Sequence, residues 1–192
     1  MSDRSAARPR TGVIWCSNPR KGHGWAFPPA VEKVIRAECR GTVLHLFGGR
    51  SKFGVRLDVD PIVRPDALGD AWMPPFGESS FGTVVLDPPY WRISQGHGSG
   101  LLRVAAMIAA ERVIWLHTVW LGKQSYMHPE AAWLIRVGDL SYCRCLQVFR
   151  PLHGHKNLTW PRHFTRGPAV RYNKWLAGQA PLAFDDRQGR EQ

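Results

Sequence analysis

Short apolar runs alternate with polar turns along most of the chain, and their spacing switches between two periods. Val31, Val34, Ile35 and Cys39 recur at helical spacing behind Pro28-Pro29 and stop at Gly41, which predicts a helix over 29–40. Strands are predicted at 43–47, 55–60, 67–71, 81–86, 112–117 and 142–149; the first runs into Gly48-Gly49, the second ends at Asp60 and the fourth at Asp87. Asn157-Leu158-Thr159-Trp160 reads as a seventh strand, and Val13-Ile14-Trp15 as a short apolar patch of no assigned type. Leu101 to Glu111 is apolar all round and predicts a buried helix, and Pro129 to Val137 a second helix closed by Gly138. Strands alternating with helices predict an α/β domain on a mostly parallel sheet, whose ligands bind beyond the carboxyl ends of the strands.

The length, 192 residues, allows one domain, expected over 11–184, with a mobile basic start (1–10) and a mobile polar end (185–192). Hydrophobic residues make up 44%, enough for a core, and the longest wholly apolar run, Val104 to Ala110, is far short of the ~20 residues that span a bilayer. The start carries no apolar secretory stretch, so a cytoplasmic location is expected.

The formal charge of +11 changes this picture, because it is unevenly placed. Residues 141–175 hold seven cations and no carboxylate, and residues 1–40 hold eight cations against three acids. Between them, Asp58, Asp60, Asp66, Asp70, Glu78 and Asp87 face only Arg56 and Arg64. Cationic flanks around an acidic centre suit a polyanion held at its phosphates, which makes nucleic acid the expected partner and excludes no ordinary solvated surface. The four cysteines form no Cys-x-x-Cys pair, and His153-Gly154-His155-Lys156 is too short for a ligand set, so no metal is expected. Most of the nine tryptophans are expected in the core. Trp91 is expected near the substrate, with Trp160 and Trp175 free to stack on bases.

The sharpest local signal is Asp87-Pro88-Pro89-Tyr90, placed where a predicted strand ends. Two prolines remove two donors and expose turn carbonyls behind a carboxylate, a set of acceptors able to take both hydrogens of an exocyclic amine. Localising the lone pair in this way turns a conjugated amine into a nucleophile, and Tyr90 could stack on an extruded base. The alternative is a rigid turn with a surface acid.

The chain here resembles the class I S-adenosylmethionine-dependent amino-methyltransferases, which carry an Asp/Asn/Ser-Pro-Pro-aromatic motif after the fourth strand. Phe47-Gly48-Gly49 looks like the start of their glycine-rich loop, Asp58 or Asp60 like the acid that binds the ribose, and Asp70-Ala71 like the pair at the adenine. Phe27-Pro28 is similar to the motif lining the methionine pocket. The resemblance spans residues 27–118 and implies a Rossmann-like sheet, S-adenosylmethionine as cofactor, and catalysis by Asp87, Pro88, Pro89 and Tyr90. Adenine N6 in DNA is the favoured acceptor it implies, with RNA or cytosine N4 as alternatives. His45 replaces the usual leading acid of the glycine loop and Ser51 its last glycine. Only residues 48–54 separate the first two strands, so the connecting helices are expected to be reduced. Substrate contacts are expected from Trp91, His155, Lys156 and Arg162; target selectivity is expected from loops or a partner, or to be weak, with a recognition partner or an oligomer left open. Two other classes stay open: a silent nucleic-acid-binding protein on this scaffold, and a protein-glutamine methyltransferase, for which a +11 surface has no evident use.

Overall fold

The computed structural model describes residues 9–16, 27–88, 97–118, 124–137 and 144–160, all within one compact unit, Met1–Pro161. Strands β1 (Arg10–Cys16), β2 (Val43–Leu46), β3 (Val55–Asp58), β4 (Ala67–Leu68), β5 (Phe81–Leu86), β6 (Ala109–His117), β7 (Met127–Val137) and β8 (Arg144–Pro151) form one sheet. Its spatial order is β1-β7-β8-β6-β5-β2-β3-β4. Every pairing is parallel except the two made by β8, which runs antiparallel to β6 and β7. The five strands β4-β3-β2-β5-β6 follow the doubly wound order of a Rossmann-like sheet, as expected.

Helix α1 (Pro29–Glu38) covers one face, burying Val31 and Ile35 against Val85, Ile114, Leu146 and Val148. Pro29 at its first position needs no N–H donor, and Glu32 pairs with Arg36 one turn on at 2.7 Å. Helix α2 (His97–Ile108) covers the other face over β5 and β6 and reaches β8; its Leu101, Leu102 and Ile108 pack on Leu86, Val113 and Trp115. The expected buried helix therefore ends earlier than Glu111, which already belongs to β6. Among the described residues no helix links β2 to β3, and a single 3-10 turn, Pro61–Val63, links β3 to β4. The reduction of connecting helices leaves Ile62, Leu68 and Met73 at this edge 71%, 64% and 55% exposed.

Two sequence expectations are corrected. The segment 129–137 is a strand rather than a helix. Trp133 and Ile135 turn to the α1 face and Leu134 and Arg136 to the other, and hydrogen bonding to β1 and β8 on both sides overrides the helix propensity of its Ala and Leu. Pro129 is tolerated because the register with β8 shifts between Pro129 and Ala131. The segment 157–160 is a turn, closed by Leu158 N–H donating to the His155 carbonyl at 2.8 Å, and pairs with no strand.

The apolar patch at Val13-Ile14-Trp15 is the centre of β1, which finds its partner only because 127–137 is extended. Arg10, assigned from sequence to the terminus, opens this strand. It reaches Glu38, whose carboxylate, 5% exposed, also holds Arg112, both at 2.6 Å. No helix among the described residues is long and apolar enough to cross a membrane.

Candidate active site

In a doubly wound sheet the strand order reverses between two neighbours, and the crevice beyond their carboxyl ends is left open by connections that leave in opposite directions. That reversal lies between β2 and β5. Leu46 of β2 is in register with Leu86 of β5, and Leu86 with Trp115 of β6. The residues that follow, Phe47-Gly48-Gly49 and Asp87-Pro88, thus leave the sheet side by side at the switch point.

The glycine turn is tightly made. Phe47 (φ 64°) and Gly49 (φ 49°) both take left-handed backbone, a conformation unusual for a phenylalanine. Gly48 donates to the Leu57 carbonyl at 3.0 Å, and Gly49 to Asp58 Oδ2 at 3.0 Å. Arg56, half-buried in β3, braces the turn from below. Its Nη2 donates to the Arg64 carbonyl at 2.7 Å, its Nε to Asp66 at 3.0 Å, and its Nη1 lies 3.4 Å from the Gly49 carbonyl. The hydrogen bonds and charge of Arg56 hold the Asp66 carboxyl below its usual range. Sequence reasoning missed Arg56, although a lone arginine in an alternating strand beside an acid-rich turn is a legible signal.

The two candidate ribose acids separate. Asp58 ends β3 and ties the glycine turn to it, its other oxygen accepting from Asp60 N–H at 3.0 Å. Asp60 caps the 3-10 turn by accepting from Ile62 N–H at 2.9 Å. Asp70 is different again. Its Oδ1 accepts from Trp72 N–H at 2.9 Å, while Oδ2 is enclosed and has no hydrogen-bond partner among the described residues. Burial raises the Asp70 pKa, partly offset by the Trp72 hydrogen bond. Ala71, beside it, is 3% exposed. A buried carboxylate oxygen left without a donor is costly, and it fits a ligand that brings an N–H.

His45, where the resemblance calls for an acid, is buried in β2. Its ring meets Phe53 edge-on at 4.5 Å and Phe27 at 6.0 Å, and the Arg36 guanidinium lies 3.9 Å over Phe53. Phe27-Pro28, just ahead of α1, is thereby brought beside the end of β2. Burial, then the charges of Arg36 and Arg56, pushes the His45 pKa down from 6.5 to about 4, against a hydrogen bond to the Phe53 backbone that raises it. The unfolded chain takes up this proton near pH 6.5 and the fold only near 4. Stability contributed by neutral His45 is therefore complete above pH 6.5 and lost as pH falls towards 4, by about 3 kcal/mol. Urea unfolding at pH 7 and 4.5 measures it. Wild type is expected to lose roughly 2 kcal/mol more than His45→Gln, and equal losses would assign the acid sensitivity elsewhere.

Asp87 is half-buried and Pro88 buried, while Pro89, Tyr90, Trp91 and Arg162 lie outside the described residues. His117 ends β6 in register with Cys145 of β8, stacked 5.3 Å from Trp115, with burial lowering its pKa. His155 and Lys156 are not brought to this place. Their loop follows the antiparallel β8, bonds through Leu152 N–H to the Tyr126 carbonyl, and places His153 3.1 Å from the Ala110 carbonyl, at the start of β6. Among the described residues no cluster of three or more His, Cys, Asp or Glu side chains could hold a metal ion.

No family model matches the chain, and no curated protein does. Solved structures do. A conserved hypothetical protein of Streptococcus pyogenes is 16% identical, with 64% of this chain and 93% of that one covered at a TM-score of 0.43. The PH0226 protein of Pyrococcus horikoshii is 13% identical over 63% and 87%, at 0.44. A TehB-like SAM-dependent methyltransferase of Corynebacterium glutamicum is 15% identical over 62% and 85%, at 0.41. Likenesses of this size leave the functional reading to the chain's own residues.

Proposed function

We propose that the chain is an S-adenosylmethionine-dependent methyltransferase acting on an exocyclic amino group of a nucleic-acid base, adenine N6 in DNA first among them. The observation that carries this reading is the side-by-side exit of Phe47-Gly48-Gly49 and Asp87-Pro88 at the reversal of strand order, which puts a loop able to hold the cofactor next to a set of amine acceptors. When bound, the cofactor supplies a methyl group on a sulfonium whose departure leaves a neutral thioether.

The protein's part is then alignment and charge. The glycine turn and Phe27-Pro28 would hold the methionine end, Asp58 the ribose hydroxyls, and Asp70 Oδ2 the adenine amine of the cofactor. Asp87 and the Pro88 carbonyl accept the two hydrogens of the target amine and so free its lone pair. On taking the methyl group the target nitrogen would become cationic, and the Asp87 carboxylate would stabilise that charge until the extra proton left to water. Cytosine N4 and RNA satisfy the same acceptors, and the +11 charge favours a nucleic acid over a protein glutamine.

Titration calorimetry with S-adenosylmethionine, followed by labelled methyl transfer to DNA, transfer RNA and ribosomal RNA, tests the reading. Absence of cofactor binding by wild type would refute it. Asp70 supplies a sharper form. A carboxyl whose pKa is raised on folding costs stability once pH exceeds its unfolded value near 3.8, and the cost is complete above the raised value. Asp70→Asn is therefore expected to raise the melting temperature of the ligand-free protein at pH 7 and to weaken cofactor binding roughly ten-fold or more. If the variant loses stability and keeps its affinity, Asp70 is not the adenine contact.

A further inference from the structure

Helix α2 stops short of the sheet's far side. On the face it covers over β5 and β6, the register continues across β8 and β7 to β1 as the row His117, Cys145, Leu134, Val13, and beside that row Trp15 is in register with Arg136. Val13, Trp15 and Leu134 are 50%, 66% and 40% exposed, and the Arg136 guanidinium lies 4.9 Å over the Trp15 ring. The described side chains of β1, β7 and β8 on this face include a cation and no carboxylate.

We infer that this strip is a stacking platform for the single strand that flanks the target base, with Trp15 taking a neighbouring base and Arg136 a phosphate. The inference rests on the nucleic-acid reading of the site and goes beyond it by naming where the rest of the substrate lies. Three features favour this occupant. The row begins at His117, one strand over from the exit of Asp87-Pro88, so four strand spacings, about 19 Å, separate that exit from β1, and a held base and a flanking base belong to one short stretch of strand. An exposed indole with a guanidinium matches a base with its phosphate, and an extruded target leaves its neighbours unstacked. A second copy of the chain is disfavoured, because each copy brings a net charge of +11.

Fluorescence anisotropy of a labelled single-stranded twelve-residue oligonucleotide, read on the full chain with cofactor affinity measured in parallel, tests this. Trp15 is exposed, so its variants fold. Trp15→Ala is expected to weaken binding roughly ten-fold or more and Trp15→Phe about three-fold or less. A probe with abasic sites flanking the target should bind wild type and Trp15→Ala alike. Arg136→Ala should reduce the slope of log affinity against log salt by about one. Unchanged oligonucleotide binding and methyl transfer by Trp15→Ala would overturn the platform while leaving the proposed activity standing. Cofactor binding without oligonucleotide binding by wild type would overturn the platform together with the nucleic-acid substrate. A wild-type dimer converted to monomer by Trp15→Ala, with oligonucleotide affinity unchanged, would make the strip a self-interface instead.

Discussion

Asp87→Ala is expected to lower the rate of methyl transfer by about 10²–10³ or more while changing cofactor affinity by less than about three-fold. The asymmetry follows from the role proposed for the carboxylate. A conjugated amine has little lone-pair density to offer until its hydrogens are held in place, and in the transition state the same nitrogen gains charge. Asp87 interacts with both conditions, and the second exists only at the transition state, so its loss falls on turnover rather than on cofactor binding. Asp87→Asn keeps an acceptor oxygen and loses the charge, and its rate should fall between the two. Single-turnover transfer of labelled methyl, with calorimetry on the same preparations, provides the measurement. Equal labelling by Asp87→Ala and wild type would remove Asp87 from the chemistry. Cofactor binding with no transfer to any polymer by wild type would favour a silent binding protein on this scaffold.

Gly48→Ala should be the most damaging substitution in the glycine turn. A Cβ at Gly48 would stand 2.5 Å from Arg56 Cβ and 2.9 Å from its Cα, closer than atoms can approach, and one of those atoms is main chain in a paired strand. The turn must lift off β3, which weakens the Gly48 bond to Leu57 and the Gly49 bond to Asp58 and withdraws the support that Arg56 gives. A stability loss of about 2–3 kcal/mol is expected, with a ten-fold or larger loss of cofactor affinity. Gly77→Ala is the control, since a Cβ there meets nothing within 4 Å. Chemical unfolding and calorimetry on the two variants check this, and similar behaviour of both would mean that the close approach at Gly48 is not what shapes the loop.

The elements around the site were legible because their signals are local. Pro28-Pro29 and Gly41 bracket α1, and β2, β3 and β5 are short apolar runs that end in glycine or an acid. The far half of the sheet was less legible. In 127–137 an Ala-Ala pair and a Leu-Ile pair imitate helical spacing, and only the hydrogen bonds to β8 and to β1, the latter more than a hundred residues away, make that segment extended. For the same reason β1 reads in the sequence as a patch without a type; the outward direction of Trp15 depends on a partner strand more than a hundred residues away. Asp58 and Asp60 could not be told apart by spacing two residues from one another, and were separated by which of them caps the 3-10 turn. The orphaned oxygen of Asp70 belongs to tertiary packing and leaves no mark in the sequence.

The thin edge formed by β3 and the two-residue β4 has an energetic consequence. A strand pair with no helix layered on its connections and with Ile62, Leu68 and Met73 open to solvent contributes few buried contacts to its own cohesion. The acids proposed to grip the cofactor, Asp58 and Asp70, sit on that edge. If the proposed cofactor binds there, its affinity and the local folding of this lip draw on the same free energy: whatever is spent ordering β3 and β4 is subtracted from binding, and the bound nucleoside would act as the missing layer that completes the sheet.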